Sequence, residues 1–441
     1  MQAKKPSASL PRSLPRSLWA ATAAPAVAAS PLDADTRTDV VVIGAGFVGL
    51  NAALRLLERG YGVIVLDAAE PGWGASGRNG GQVIAGLKHN PDLLDEIFGR
   101  ELGARMTAAF GGAADRVFGL IERHGIDCHA QRSGWIYAAH GRKPFETLVQ
   151  PRHRQWQARG ADGVLLTGEA LCRELGCAPG TYAGGWLDRR GGVLQPLSYC
   201  RGLAKAVVAG GGILHGHSPA HRLTQSAAGW IVESGDCKIA AGKVVLATNA
   251  YTDGLWPGLA QSVVPVTSFQ IATRPLSPDV TATVLPGGQG VTDTRRLLVY
   301  YRRDHLGRFV IGGRSPVDDD PTFGDAGTLQ RLARRLFPQL EMDDLDFAWT
   351  GRVALTKDKL PHLHVLAPGL YTALGCNGRG VAVGTVLGQV LGDLVAGAAP
   401  EEIPFPVTAP QLFHLHGLRQ VGIFALSQFY MLLDRLEGLQ R

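Results

Sequence analysis

Apolar residues recur in short unbroken runs, and the one that first reads as a strand is Val40-Val-Val-Ile43, directly after Asp39. Consecutive apolar positions without alternation predict a strand buried on both faces. The run ends in Gly44-Ala-Gly-Phe-Val-Gly49, after which Leu50, Ala53, Leu54 and Leu57 recur at helical spacing until Gly60 stops the helix. A second buried strand, Val63-Ile-Val-Leu66, ends on Asp67. Pro91 to His124 reads as helical, whereas 134–139 and 264–313 alternate or carry β-rich runs, predicting a sheet-based domain inserted between pieces of the first. The buried-strand style returns from Gly211 to Leu223, at Lys243-Val-Val-Leu-Ala-Thr-Asn-Ala250, and at Leu370 to Leu374. That last strand runs into Gly375-Cys-Asn-Gly-Arg-Gly380 and a small-residue helix to Val395. Val421 to Leu433 predicts an apolar C-terminal helix that docks on the domain or on a partner subunit, with membrane contact peripheral at most.

Strand, glycine turn, helix, strand and acid form a complete dinucleotide-binding unit, a Rossmann-type arrangement. The three glycines have separate roles, with a tight turn at Gly44, close approach of a pyrophosphate at Gly46, and helix-to-strand packing at Gly49. The helix N-terminus stabilises the phosphates, and the carboxylate of Asp67 accepts hydrogen bonds from ribose hydroxyls. The motif by itself does not separate NAD from FAD. From Gly72 to Gln82 the chain is too glycine-rich for a regular element, which predicts a loop that closely approaches a ligand. Near the C-terminal end, Gly384, Gly388 and Gly392 leave a bare stripe on a helix that opens at Gly380 and Val381. The stripe permits close packing, and the helix start suits a group that gains negative charge on reduction.

The chain has 441 residues, enough for two domains. Of the net charge of +6, Lys4, Lys5, Arg12 and Arg16 supply +4, so the body is nearly balanced. No basic run with interleaved aromatics occurs, which argues against nucleic acid as a partner. The six scattered cysteines form no CxxC pair and suit a reducing cytoplasm. Pro11, Pro15 and Pro25 interrupt the N-terminal segment before any export-type apolar core develops. The histidine pairs His215/His217, His362/His364 and His414/His416 lack third and fourth ligands, so no metal is expected.

In combination, Asp39 to Asp67, the Gly74-Ala-Ser-Gly-Arg-Asn-Gly-Gly-Gln82 loop, Ala247 to Tyr251, Tyr300 to Arg302, Gly312 to Arg314 and Gly375 to Gly380 resemble the D-amino-acid oxidase type of FAD-dependent oxidoreductase. Within it the chain is most similar to the gamma-glutamylputrescine oxidoreductase and L-pipecolate oxidase branch. The resemblance implies an α/β fold: a glutathione-reductase-like FAD-binding Rossmann domain (38–90, 190–255 and 350–400) interleaved with an α+β, antiparallel-sheet substrate domain (91–189 and 256–349). An N-terminal arm (1–37) and a C-terminal tail helix (401–441) flank them.

It further implies that Gly44, Gly46, Gly49, Asp67 and Ala68 hold the ADP half of noncovalent FAD. Ala75, Ser76, Arg78, Asn79, Gly80, Gly81 and Gln82 would line the pyrophosphate and ring, with Ala220 at the adenine. Thr248, Asn249 and Ala250 form a second FAD segment, and Asn377, Gly378, Arg379, Gly380 and Val381 embrace the isoalloxazine. The implied reaction passes a hydride from the carbon beside an amine of a small amine or amino acid to the flavin, leaving an imine that hydrolyses. Tyr301 and Arg302, with Trp349, are the substrate-contact candidates, Arg302 as a two-pronged carboxylate clamp. Gly351 to Thr356 has no cysteine for covalent flavin attachment, and Arg308 to Arg314 has no lysine of the oxygen-activating kind. Oxygen and a quinone therefore both stand as acceptors. The alternative reading is a flavin-bearing subunit of a larger dehydrogenase, and a homo-oligomer is compatible with either.

Overall fold

Val40 and Val42 face one way from the first strand, into a cluster with Leu50, Ala53 and Val386. Val41 and Ile43 face the other way, into a cluster with Trp230 and Val232. This two-sided burial is why the run is continuously apolar. The computed structural model describes residues 13–314, 321–399 and 401–438, so Lys4, Lys5 and Arg12 lie outside the described residues.

The first strand, Thr36–Ile43, sits inside a sheet ordered His362–Ala367, Leu370–Leu374, Cys237–Leu246, Thr36–Ile43, Val63–Leu66, Ile213–His215. All neighbours in that order run parallel except the first pair. Helices Phe47–Glu58, Pro196–Ala209 and Gly380–Val395 contribute to the cluster on one face. Strands Ala220–Ser226 and Gly229–Ser234, paired onto the far half of Cys237–Leu246, supply Trp230 and Val232 to the other.

The glycine stripe is explained by helix-on-helix packing. A Cβ on Gly388 would stand 2.4 Å from the Val48 carbonyl oxygen, and one on Gly392 would stand 2.7 Å from Cβ of Arg55. Gly380–Val395 therefore lies backbone-close on Phe47–Glu58, and the two helices that begin at glycine turns are locked side by side.

A second sheet has eight strands, ordered Leu345–Leu355, Val264–Pro275, Arg308–Arg314, Val299–Arg303, Gly290–Asp293, Trp135–Ala139, Gly184–Asp188, Gly163–Thr167. Neighbours are antiparallel except Gly290–Asp293 beside Trp135–Ala139, which run parallel. Helices Gly168–Leu175 and Gly327–Leu336 pack on one face together with Phe309, Tyr301 and Phe337. Strand Leu345–Leu355 lies wholly in this sheet, so a boundary drawn at 350 would cut through a strand.

The described part of the N-terminal arm, from residue 13, docks on the body of the protein. Helix Leu18–Thr22 is capped by Ser17 and buries Leu18 and Trp19 completely against Leu197 and Trp349. At the other end the helix is shorter than 401–441: it spans Arg419–Gly438. Val421, Leu426 and Phe429 on it are about half exposed or more, so these side chains do not dock on the rest of the chain. Among the described residues no helix is long and apolar enough to cross a membrane, and no cluster of three or more metal-ligating side chains occurs.

Candidate active site

The turn after the first strand is built as its glycines require. Gly44 has φ +110°, and a Cβ there would meet the Ala247 carbonyl oxygen at 2.8 Å. A Cβ on Gly49 would stand 1.9 Å from the Gly44 carbonyl oxygen, so only glycine allows the helix to start this close to the strand. Gly46 caps the helix, and the Phe47 N–H beyond it donates to Ser76 Oγ at 3.0 Å. Asp67 accepts from the Ala45 and Ala69 amides at 2.7 and 2.9 Å. Burial outweighs those two bonds and raises its carboxyl to about 6.

These residues open into a cavity of 2020 Å³ between the two sheets. That is larger than a pocket for one drug-sized ligand, so it has room for a dinucleotide and a substrate together. Its walls include Gly44, Gly46, Asp67, Ala68 and Ala220 at the Rossmann turn, and Ala75, Ser76, Arg78, Asn79, Gly80 and Gln82 from the glycine-rich loop. Thr248, Asn249 and Ala250 contribute, as do Asn377, Gly378, Arg379, Gly380 and Val381. Gly49 and Gly81 support from behind and do not line it.

Side-chain hydrogen bonds hold this wall in shape. Asn79 donates to the Ala75 and Ser76 carbonyls and accepts from the Gly81 amide, closing the loop on itself. Gln82 donates to the Val291 carbonyl and accepts from Thr292 Oγ1, fastening the loop to the second sheet. The Arg78 carbonyl accepts from Trp349 Nε1 at 3.0 Å and from Gln270 Nε2 at 2.6 Å. Trp349 is therefore a support for the loop. Asn249 accepts from the Gly375 amide, which ties the second segment to the last, and Asn377 bridges Thr356 and Gly375. Both asparagines adopt positive φ, +43° and +51°, a conformation asparagine tolerates well.

The two substrate-contact candidates stand elsewhere. On strand Val299–Arg303 successive side chains take opposite faces. Tyr301 points into the helix-covered face, where its hydroxyl bonds Tyr182 at 2.9 Å and its ring packs on Phe337. Arg302 shares a face with Tyr300 but lies under the loop, donating to the Gly81 and Leu194 carbonyls at 3.0 and 2.6 Å. Its guanidinium is a loop clamp, not a group presented to the cavity.

Tyr300 lines the cavity in their place, with its hydroxyl on Ser268 at 2.8 Å. So do Lys88, Tyr137 and Arg152, none of which the sequence pattern singles out, and Arg314, which ends one of the segments that carry the resemblance. The parity of Tyr300 and Tyr301 was readable, but which of them faces the ligand depends on register. Lys88 carried no local signal. Burial lowers its ammonium to about 7, and the charged neighbours acting on it are the cations Arg379, Arg314, Arg152 and Lys359. Arg379 donates to the Ala85 and Gly86 carbonyls, and burial holds it well below the usual arginine range.

Comparison with known proteins agrees with this arrangement. The family model for FAD dependent oxidoreductases matches residues 39–394, which takes in the glycine turn, the loop and the final helix. The chain belongs to the FAD-dependent oxidoreductase family. It is 31% identical over 411 residues to the probable oxidoreductase OrdL of Haemophilus influenzae, covering 92% of this chain and 94% of that one. It is also 31% identical over 409 residues to the gamma-glutamylputrescine oxidoreductase of Escherichia coli, covering 92% and 95%. Among solved structures it superposes on glycine oxidase from Geobacillus kaustophilus with a TM-score of 0.69 at 23% identity, covering 81% of this chain and 94% of that one. L-amino acid deaminase from Proteus vulgaris gives 0.71 at 16% identity, covering 88% and 98%. These structural likenesses establish the shared fold.

The cofactor of this family is FAD, and the residues present fit it. Gly46 provides a cradle that a Cβ would invade, since it would stand 2.9 Å from Ser76 Oγ. The helix that follows points its free amides into that cradle. Asp67 retains lone pairs for ribose beyond the two amides it holds, and the segment Asn377 to Val381 opens a second helix onto the same cavity.

Proposed function

We propose that this protein oxidises the C–N bond of a small amine or amino acid, with a substrate of the gamma-glutamylputrescine-like or pipecolate-like kind. The observation that carries the reading is the single cavity in which the dinucleotide turn, the start of helix Gly380–Val395 and the Tyr300 face of the second sheet converge. FAD, held noncovalently, supplies the two-electron acceptor for the C–H bond beside the substrate nitrogen. The chain's own residues then divide the work three ways. Gly44, Gly46, Ser76 and Asp67 hold the dinucleotide half. Asn79, Gln82, Arg302 and Trp349 fix the loop that shapes the reacting region, and Tyr300 with Tyr137 walls the substrate space. Lys88 provides a cationic wall suited to a substrate that bears a carboxylate. No side-chain base is required, because a substrate amine bound in its neutral form already releases its electron pair toward the forming imine. Water then hydrolyses the imine to a carbonyl compound and an amine or ammonia.

Similarity over more than nine-tenths of each chain to a gamma-glutamylputrescine oxidoreductase supports the substrate class, and oxygen or a quinone accepts the electrons. We place the reaction in the cytoplasm, in keeping with six free cysteines. The test is to mix the purified yellow protein anaerobically with gamma-glutamylputrescine, pipecolate, and D- and N-methyl amino acids. Bleaching of the visible bands by one of them is the expected result, and readmitted oxygen then separates oxidase from dehydrogenase. Flavin that none of these compounds reduces would overturn the reading in favour of a flavin-bearing subunit.

A further inference from the structure

We propose that Cys172 and Cys177 form a peroxide-reactive dithiol that closes to an intramolecular disulfide. The pair lies behind the second sheet, in the cluster that holds Tyr301 and Phe337, on the face turned away from the cavity. Its chemistry is therefore independent of the substrate and of the electron acceptor.

The juxtaposition follows from how helix Gly168–Leu175 ends. Gly176 adopts the left-handed conformation at φ +69°, ψ +23°. The Cys177 amide donates back to the Cys172 carbonyl at 3.1 Å, and the Gly176 amide donates to the Arg173 carbonyl at 3.3 Å. This pair of hydrogen bonds is a Schellman cap, which sets the side chains five residues apart against each other. That contact is ordinarily made by two apolar residues. Here both are cysteines, and their thiols hydrogen-bond to one another.

The two sulfurs are not equivalent. The backbone amides of the turn Gly180 to Tyr182 also act on Cys172 in the sense that favours a thiolate, the Thr181 amide while donating to the Ala178 carbonyl at 3.2 Å. The Cys177 hydrogen bond, with those amides, holds the Cys172 thiol below the ordinary cysteine range against the opposing effect of burial. Cys177 is pushed the other way by the same bond and by burial. Elsewhere burial dominates: it raises Cys128 to about 12 and pushes Cys200 and Cys376 up as well. The turn beside the pair is open, since Pro179 and Gly180 are exposed, so a molecule as small as hydrogen peroxide has a short path.

The chemistry balances with hydrogen peroxide as the oxidant. The Cys172 thiolate attacks one peroxide oxygen and breaks the O–O bond, giving a sulfenic acid and, after protonation, one water. The Cys177 thiol then attacks that sulfur and expels the hydroxyl as a second water. Two electrons pass from the sulfurs to the peroxide, and one S–S bond forms.

The test uses the full-length protein with its flavin, treated with a few equivalents of hydrogen peroxide, alkylated, and digested with trypsin without reduction. Arg173 lies between the cysteines, so cleavage there leaves two peptides that only a disulfide can hold together. The expected result is loss of two of the six thiols together, with the Cys172 and Cys177 peptides joined and Cys128, Cys200, Cys237 and Cys376 still alkylated. In Cys177→Ser, Cys172 is expected to stop at a sulfenic acid that dimedone traps. In Cys172→Ser, Cys177 is expected to stay reduced. Wild-type protein in which both cysteines remain alkylatable while another is oxidised would overturn the proposal, as would oxidation of Cys172 without joined peptides. The wild-type digest decides this even where a variant fails to fold.

Discussion

The ring of Tyr300 lies so close to Gly80 that a Cβ at that position would stand 2.8 Å from Cε2 of the ring. Gly312 borders the same ring from its own strand, where a Cβ would stand 2.6 Å from the Tyr300 hydroxyl oxygen. The tyrosine thus occupies a slot cleared by two glycines and is held there by Ser268. Gly80→Ala is expected to force the loop outward, at a cost of about 1–3 kcal/mol. The fraction of purified protein that retains flavin, read from visible against ultraviolet absorbance, should fall. Tyr300→Phe should retain it, and equal flavin content in Gly80→Ala would refute the slot.

Arg302 gives a second prediction, because its buried charge is satisfied by backbone carbonyls and not by a ligand. Arg302→Met leaves the Leu194 carbonyl without its donor, while the Gly81 carbonyl keeps only the Leu194 amide at 2.8 Å, and is expected to destabilise the protein by about 1–3 kcal/mol. Denaturant unfolding measures that loss. In the folded fraction, the affinity for a carboxylate ligand should stay within about twofold of wild type. A large loss of affinity with unchanged stability would restore the role of substrate clamp.

The carboxyl of Asp67 predicts how cofactor affinity follows pH. In the cofactor-free protein burial raises it to about 6, so stability arising from this group is present below pH 4 and is lost as pH rises through 6. Ribose hydroxyls donate to the ionised form and lower that value in the complex. FAD affinity should therefore rise with pH between about 4 and 6, by at most about tenfold per unit, and level off above. Titrating cofactor-free protein with FAD across that range checks it, and Asp67→Asn should bind more weakly with a flat profile.

Lys88 titrates in the opposite sense. Burial and its cationic neighbours lower the ammonium to about 7, so a carboxylate bound against it should weaken as pH rises through 7. The measurement is the dissociation constant of a carboxylate that lacks an amine, followed through its perturbation of the flavin spectrum. Lys88→Met is expected to bind about tenfold more weakly at pH 6 and to show no change between pH 6 and 8. A wild-type constant that does not vary across that range would remove Lys88 from the ligand site.

What was legible in the sequence was whatever short-range sterics impose. The run from Asp39 to Asp67 had one structural solution, because continuous apolar residues need burial on both faces and the glycines of the turn sit where a side chain would collide with Ala247 or Gly44. The same local logic predicted strand Leu370–Leu374 and the helix ending at Val395, whose bounds agree with the structure. The glycine-rich run from Gly72 to Gln82 likewise pointed to a loop near a ligand, whereas Ser76, Asn79, Gln82, Asn249 and Asn377 were singled out individually only by the family resemblance.

Which side chains face the substrate space was decided only by tertiary structure. Tyr300 and Tyr301 are equivalent as residues in a strand, and they are distinguished by the helices that cover one face of the second sheet and by the loop that covers the other. Arg302 looks like a ligand clamp until the Gly81 and Leu194 carbonyls arrive from distant segments to satisfy it. Lys88 becomes notable only once Arg152, Arg314 and Arg379 are folded around it. Periodicity and turn chemistry act over a few residues and so can be read along the chain. The field at a buried charge, and the choice of face, are set by residues far away in sequence, and they exist only when the two sheets have closed on each other.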